Sequence, residues 1–327
     1  MKRALLLFPA LGFIGLTIFA CGGGNSNHIQ PPPAGQTFAF LRASNGGLFQ
    51  PMAGNMTGES FNAIGQPANI WSIASSPDGK KAVFDANLNG QWWDIYVANS
   101  DGTNTVQLTN DSETDEEPTF SPDGSKVIFT SYRGDHGSVG FDIIVANVDG
   151  TGITDVTPNS TMDHSFALFS PDGTKIAFAG FDPTNIVWGI WTLNANGTGL
   201  SNVISATNYD VYALPLTFSP DGKTIFYTGV TIDPSPTADI YSVNLDGTQN
   251  RKLTTTGMDW YPRFDGSTLL FNSYRDGNAE IYAINANGSG VRRLTSNTVY
   301  DSFSQALYIG AAAALSEQRA GAMAHHR

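Results

Sequence analysis

Cysteine is all but missing: Cys21 stands alone in 327 residues, so no disulfide can form within the chain. Charge is scarce too, at 14%, against about 25% in an average soluble protein. What charge there is leans one way, with 17 Lys+Arg against 29 Asp+Glu and a net −12. Loss of residues 1–20 would remove Lys2 and Arg3, leaving 15 against 29, or −14. Phosphate backbones are bound through Lys and Arg, so nucleic acid is excluded as an expected partner. Histidine is sparse: of His28, His136, His164, His325 and His326, only His136 and His164 fall within the body of the chain, a poor basis for a transition-metal site. No Gly-x-Ser-x-Gly occurs, and the Ala-rich stretch 311–327 is expected to be a frayed tail rather than a hydrolase domain, which argues against a peptidase.

Turn formers and apolar residues are plentiful, with 35 Gly, 17 Pro and 41% hydrophobic residues. That composition excludes an extended disordered chain and leans toward strands joined by turns. Residues 1–20 have the anatomy of an export signal: Lys2 and Arg3, then ALLLFPALGFIGLTIFA. Ala20 directly before Cys21 resembles the lipobox of bacterial lipoproteins, whose cysteine is diacylated after cleavage. The usual Leu and small residue before it are replaced by Ile18 and Phe19. An ordinary secretory leader is the other reading. Residues 21–36 read as a Gly/Pro-rich tether. Gly22 does not resemble an inner-membrane retention aspartate, so a lipid-anchored chain is expected on the periplasmic side of the outer membrane or another extracytoplasmic surface.

From about residue 37 the chain repeats. Ser-Pro-Asp-Gly begins at Ser76, Ser121, Ser170 and Ser219, its prolines 45, 49 and 49 residues apart, and Phe264-Asp265-Gly266 is a worn fifth copy. In phase with it run Asp101-Gly102, Asp149-Gly150, Asn196-Gly197, Asp246-Gly247 and Asn287-Gly288. The latter pairs suit type I′ hairpins, which need positive φ at both central residues. Short strands fill the intervals: KAVF, KVIF, KIAF and TIFY after the first mark, DIYVAN, DIIVAN, GIWTLN, DIYSVN and EIYAIN before the second. A further strand follows the second mark and often ends in Leu-Thr. Four antiparallel strands per repeat of this length is the period of a propeller blade. The expected fold is all-β, a six-bladed propeller over 37–310, with residues 299–310 supplying the inner strand that an N-terminal half-blade lacks. Such interlocking would leave neither sheet edge open.

SYRDGNAEIYAINANGSGVRRLT, residues 273–295, together with the Ser-Pro-Asp-Gly units, resembles the TolB-type propeller repeat, which is also found in prolyl-oligopeptidase-type enzymes. The resemblance covers nearly all of 37–310 and implies the fold far more than a function. An N-terminal α/β domain of the TolB kind is not expected ahead of residue 37, so the chain resembles the family without being TolB itself.

The two marks should lie on one face of the disc, and loops of unequal length on the other, where binding tends to reside. Eight aspartates, Asp78, Asp101, Asp123, Asp149, Asp172, Asp221, Asp246 and Asp265, read as turn formers. Asp115, Asp163, Asp210, Asp259 and Asp301 each precede an inner strand and are expected to ring the channel mouth, with Glu116 and Glu117 adding charge. Three readings stay open for them: solvated strand caps, an electrostatic funnel for a basic segment, or ligands of a hard cation such as Ca2+, though no Asp-x-Asp-x-Asp-Gly loop supports a dedicated site. Asp94, Asp142, Asp239 and Glu280 open the third strands and read as a repeated hydrogen-bond position or as partners of Arg133 and Arg275. Trp92, Trp93, Trp188, Trp191 and Trp260 read as interblade core or a stacking surface. The expected function is a monomeric, cofactor-free scaffold that binds an envelope protein or basic peptide through its acidic face. The alternative is a carbohydrate-active enzyme, glycosidase or lyase, using mouth carboxylates.

Overall fold

A computed structural model describes residues 37–293, apart from 44–48, 56–60, 64–68, 89–91, 133–139, 159, 186, 207–211, 232–236, 266–267 and 278–279. Every described element is a strand. Five four-stranded antiparallel sheets form, in chain order, blades 1 to 5. Their strands, from first to last, are Asn69–Ser75, Lys81–Asn87, Asp94–Asn99 and Val106–Gln107 in blade 1; Asp115–Phe120, Lys126–Tyr132, Phe141–Asn147 and Thr154–Asp155 in blade 2; Asp163–Phe169, Lys175–Asp182, Val187–Asn194 and Ser201–Ala206 in blade 3. Blade 4 comprises Tyr212–Phe218, Thr224–Thr231, Thr237–Asn244 and Arg251–Lys252, and blade 5 Asp259–Asp265, Thr268–Ser273, Glu280–Ile284 and Arg292–Arg293. The fold is thus a β-propeller, as expected, but the described residues form five complete blades rather than six. Ahead of blade 1 lies a three-stranded sheet, Thr37–Ala43, Phe49–Asn55 and Phe61–Ala63, whose first strand runs beside Asn69–Ser75. The segment expected to complete it, 299–310, lies outside the described residues, as do 1–20, 21–36 and 311–327.

First strands of successive blades lie beside one another, from blade 1 through blade 5, which places them around the axis. The second strands read KVIF or KIAF because both of their faces are covered. Val83, Ile95, Val97 and Leu108 of blade 1 pack on Phe120, Val127, Phe129 and Ile144 of blade 2. The opposite face of blade 2, with Ile128, Ile143 and Val145, meets Phe169, Ile176 and Phe178 of blade 3. Blades 3 and 4 join through Ala177, Ile190, Phe218 and Tyr227, and blades 4 and 5 through Phe226, Ile240, Leu269 and Phe271. From blade 1 to blade 5 the core is therefore a series of slabs shared by neighbouring sheets, and the opposite face of blade 1 carries a cluster of Ile70, Ile73, Phe84 and Tyr96.

Ser-Pro-Asp-Gly is a self-contained polar unit. Ser76 Oγ donates to Asp78 Oδ1 (2.7 Å), the Lys80 N–H donates to the same oxygen (3.0 Å), and the Lys81 N–H donates to Ser76 Oγ (2.9 Å). The pattern recurs at Ser121, Ser170 and Ser219. Those bonds favour the ionised form, so Asp78, Asp172 and Asp221 titrate below the usual carboxylate range and Asp123 falls to about 2, led by the Ser121 hydroxyl.

The second turn differs from the type I′ expectation. Only its glycine has positive φ, as at Gly102 (83°) and Gly150 (83°), and the Gly102 N–H donates to Asn99 O (2.9 Å). This is a type I turn followed by an αL residue. The aspartate is there for a different reason: Asp101 Oδ1 accepts the N–H (2.9 Å) and Oγ1–H (2.6 Å) of Thr103. Two residues after that glycine a second αL position recurs, filled by glycine at Gly152, Gly199 and Gly290 but by Asn104 (53°) and Gln249 (56°) in blades 1 and 4. A side chain in αL costs roughly 1–2 kcal/mol, less for asparagine. In urea titrations Gln249→Gly is expected to raise stability by about 1 kcal/mol and Asn104→Gly by less, while Gly152→Ala lowers it by a similar amount. No gain at Gln249 would contradict the assignment of strain there.

Candidate functional site

The axial ends of the first strands hold the acids that the sequence placed at the channel mouth. Asp115 and Asp259 are fully buried and Glu116 is buried. Asp163 is half-buried, while Asp210 and Asp301 lie outside the described residues. Asp259 receives both its bonds from Arg275 Nη2, at 2.8 and 3.0 Å. Asp163 Oδ1 accepts the Phe141 N–H across the blade 2–3 boundary (2.9 Å), and a Cβ at Gly140 would collide with that oxygen, so glycine is required there. The Glu116 carbonyl accepts the Thr130 hydroxyl (3.1 Å). Asp115, Asp163 and Asp259 occupy corresponding places in their blades, but Asp163 serves a joint, Asp259 is paired within its own blade and Asp115 is buried, so these described acids do not form an open ring of solvated charge.

Glu117 shows why. Each first strand carries a register irregularity: between Ile70 and Ile73, Glu116 and Thr119, Ser165 and Leu168, Leu214 and Leu216, and Trp260 and Arg263. At it Glu117 (60°), Phe166 (55°) and Tyr261 (57°) adopt αL backbone, turning their N–H groups away from their own sheet. In each case a side chain across the joint accepts that hydrogen. The Glu117 N–H donates to Asp85 Oδ2 of blade 1 (2.9 Å), Phe166 N–H to Glu117 Oε2 of blade 2 (2.7 Å), and Tyr261 N–H to Thr228 Oγ1 of blade 4 (3.0 Å). Asp85, itself fully buried, also accepts the Ser72 N–H (2.8 Å) and hydroxyl (2.7 Å). In blade 4 the corresponding residue is Pro215, with no N–H to give, and the facing position in blade 3 is Ala179, with no side-chain acceptor. Donor and acceptor are lost together. Sequence reading missed these latches because Asp85 looks like an interruption in an apolar strand.

The acids opening the third strands form a second repeated device. The N–H groups of Ile95, Ile143 and Ile240 donate to the hydroxyls of Thr109, Thr157 and Thr254 (2.9, 2.9 and 3.0 Å). Thr157 and Thr254 donate onward to Asp142 (3.4 Å) and Asp239 (3.2 Å). The Leu-Thr signal thus marks the residues just past an outer strand, where a threonine hydroxyl stands in for a backbone carbonyl. Asp239 also meets Lys252 Nζ (2.6 Å), and Glu280 meets Arg293 (2.7 Å). Arg275, a proposed partner of these acids, bonds Asp259 instead and lies over the Tyr282 ring at 4.4 Å. Arg133 is outside the described residues. In blade 1 Asp94 has Gln107 and Thr109 as its partners among the described residues, and burial, followed by the charge of Asp111, pushes its carboxyl up to about 6.

His164, buried, donates from Nδ1 to the Phe141 carbonyl (2.6 Å), so Nε2 is left to accept from Ser160 Oγ (3.2 Å). Burial holds its pKa down to about 4, against the pull of the Phe141 carbonyl. It is a neutral strut between blades 2 and 3. Among the described residues no three His, Cys, Asp or Glu side chains converge to hold a metal. Of the tryptophans, Trp260 is core beside Val230 and Ala238, with Trp188 against it, Trp191 packs on the blade 2–3 slab, and Trp92 is exposed at 39%. Leu88, Tyr132 and Met258 join Trp92 as exposed apolar residues on the loop face.

Asp85→Ala is expected to cost about 3 kcal/mol or more, since two N–H donors and a hydroxyl lose a buried acceptor, and Thr228→Val about 1–3 kcal/mol for one. Urea titration checks both; losses below about 0.5 kcal/mol would show the latches to be incidental. His164 binds a proton less readily folded than unfolded, so its contribution is complete above pH 6.5 and is lost as pH falls toward about 4. The stability difference between wild type and His164→Gln should therefore shrink between pH 7 and pH 4.5; a constant difference would contradict the neutral strut.

The family model for PD40, the TolB beta propeller domain, matches residues 135–326. A TolB homolog of Chlorobium chlorochromatii is 30% identical over 129 residues, covering 39% of this chain and 29% of that protein. The chain aligns with less than a third of the length of the curated relatives it matches. TolB from Acinetobacter baumannii superposes with a TM-score of 0.63 at 18% identity, over 81% of this chain and 65% of that one. An oligogalacturonate lyase in complex with manganese gives 0.56 at 15% identity, over 81% and 75%. The structural likenesses speak to fold alone, but the family match covers more than half of the sequence: the chain belongs to the TolB beta propeller (PD40) family.

Proposed function

We propose that this propeller is an exported, Cys21-anchored scaffold of the cell envelope, whose loop face docks a basic segment of another envelope protein. The observation that carries the reading is the contrast between the two faces. On the regular face the described turn aspartates Asp78, Asp101, Asp123, Asp149, Asp172, Asp221 and Asp246 are all engaged by their own turns. On the loop face Leu88, Trp92, Tyr132 and Met258 are exposed, and the acidic stretch that begins at Asp111 adjoins Tyr132, whose N–H donates to Thr114 O. Aromatic faces and carboxylates together suit a cationic, partly apolar segment. Cys21 and the leader before it rest on sequence pattern.

A carbohydrate-active reading draws on the lyase among its structural neighbours. It would require an acid–base pair at the mouth, where Asp259 is committed to Arg275 and Glu117 Oε2 to the Phe166 amide. The scaffold reading is therefore preferred. Affinity capture from detergent-solubilised envelopes should retain a partner that a variant with Trp92→Ala, Tyr132→Ala and Glu113→Gln loses at least tenfold, with binding weakened by salt. Equal capture by both proteins would overturn the docking face. Turnover of an acidic oligosaccharide by the wild type would replace this reading with the enzymatic one.

A further inference from the structure

Blades 1, 4 and 5 align residue for residue along their outer two strands, and one position differs in charge. In blade 4, Tyr241 pairs with Lys252 and the ammonium reaches Asp239 Oδ2 at 2.6 Å. In blade 5, Tyr282 pairs with Arg293, which reaches Glu280 Oε1 at 2.7 Å. Tyr96 of blade 1 pairs in the same register with Gln107, which is uncharged. Yet the acid is kept: Asp94 is 1% exposed, as deeply placed as its counterparts. Gln107 and Thr109 bond to this carboxylate, but its Oδ1 is buried with no hydrogen-bond partner. A second carboxylate, Asp111, stands close enough to raise the first, and its own Oδ1 is fixed by the Glu113 N–H (3.0 Å). A buried carboxylate without a counter-charge is costly, and a second acid beside it increases the cost.

We propose that a calcium ion binds at the rim of blade 1, held by Asp94 and Asp111 with the Gln107 amide beside them, in the place that Lys252 and Arg293 fill with protein cations in blades 4 and 5. The donors are all oxygen, which selects a hard cation over a transition metal. Two carboxylates, with water completing the shell, suit the weak end of calcium sites, with Kd about 10⁻⁴–10⁻³ M. The site borders the docking face proposed above and shares Asp111 with its acidic stretch, but ion binding is read on the protein alone, with no partner present. It also differs from a cation at the channel mouth, because it sits between the third and outer strands.

The test is thermal unfolding of the full-length chain in neutral detergent at pH 7.5, with calcium chloride against sodium chloride of matched ionic strength, alongside equilibrium binding of radioactive calcium. With Kd about 1 mM, 10 mM calcium should favour the folded state about tenfold. Asp94→Asn should abolish both responses, and Asp163→Asn at the mouth should leave them intact. Gln107→Lys supplies the blade 4 ammonium, so it should be more stable than wild type without calcium and indifferent to it. That variant remains informative if Asp94→Asn fails to fold. Absence of binding and of stabilisation in the wild type would overturn the proposal. An undiminished calcium response in Gln107→Lys would do so as well.

Discussion

Every blade of this protein is a thin sheet with two apolar faces, and neither face can be covered by the blade itself. That constraint orders the rest of the structure. Because Val83 joins the slab shared with blade 2 and Phe84 the cluster on the opposite face of its sheet, consecutive residues of a strand serve different apolar layers, and alternation between apolar and polar residues is absent from the middle strands. Stability is therefore shared between neighbours, as in other repeat architectures. The polar consequences follow. Where the first strands of blades 2, 3 and 5 turn an N–H out of their own sheet, the acceptor comes from across a joint, and Asp85, Glu117 and Thr228 supply it.

The same constraint explains why so many carboxylates here are structural. An acidic chain looks, from composition, like a chain with an acidic surface. In fact the acids divide into three populations with different physics. Turn aspartates are exposed and held ionised by two or three hydrogen bonds, as Asp123 is by Ser121 and Ser125. Acids at the joints, such as Asp163, are built into the ring by backbone amides. Acids at the third-strand starts are buried with whatever group their blade offers: lysine in blade 4, arginine in blade 5, a threonine hydroxyl in blade 2, and an amide and a hydroxyl in blade 1. Net charge alone says nothing about this partition.

Much of the fold was legible because it is written in local chemistry. Ser-Pro-Asp-Gly encodes its own hydrogen bonds within six residues, and a period of 45 to 49 residues leaves little besides a propeller. The identity of the second turn was misread because Asp-Gly admits two hairpin geometries, and the deciding feature, Thr103 bonding Asp101, lies beyond the dipeptide. Blade number was overcounted: the described strands complete five sheets, and the strand assigned to a sixth lies outside them. Asp115, Asp163 and Asp259 do open first strands, but their burial depends on what packs against them. Neither Arg275 over Asp259 nor the Glu117 bridge can be seen from spacing. The compensating pair Pro215 and Ala179 was in plain view, yet it acquires meaning only once the latch is known.

The account stands on those cross-joint bonds, and native-state hydrogen exchange reads them directly. The amides of Glu117, Phe166 and Tyr261 lie at irregularities in strands next to the axis, where an unlatched N–H would exchange as a loop does. If the joints are closed by Asp85, Glu117 and Thr228, all three amides should be protected to the level of mid-strand amides such as those of Ile128 and Phe178. Protection at Tyr261 should fall selectively in Thr228→Val. Exchange at loop rates in the wild type would contradict the account, leaving apolar slabs alone to hold the blades together.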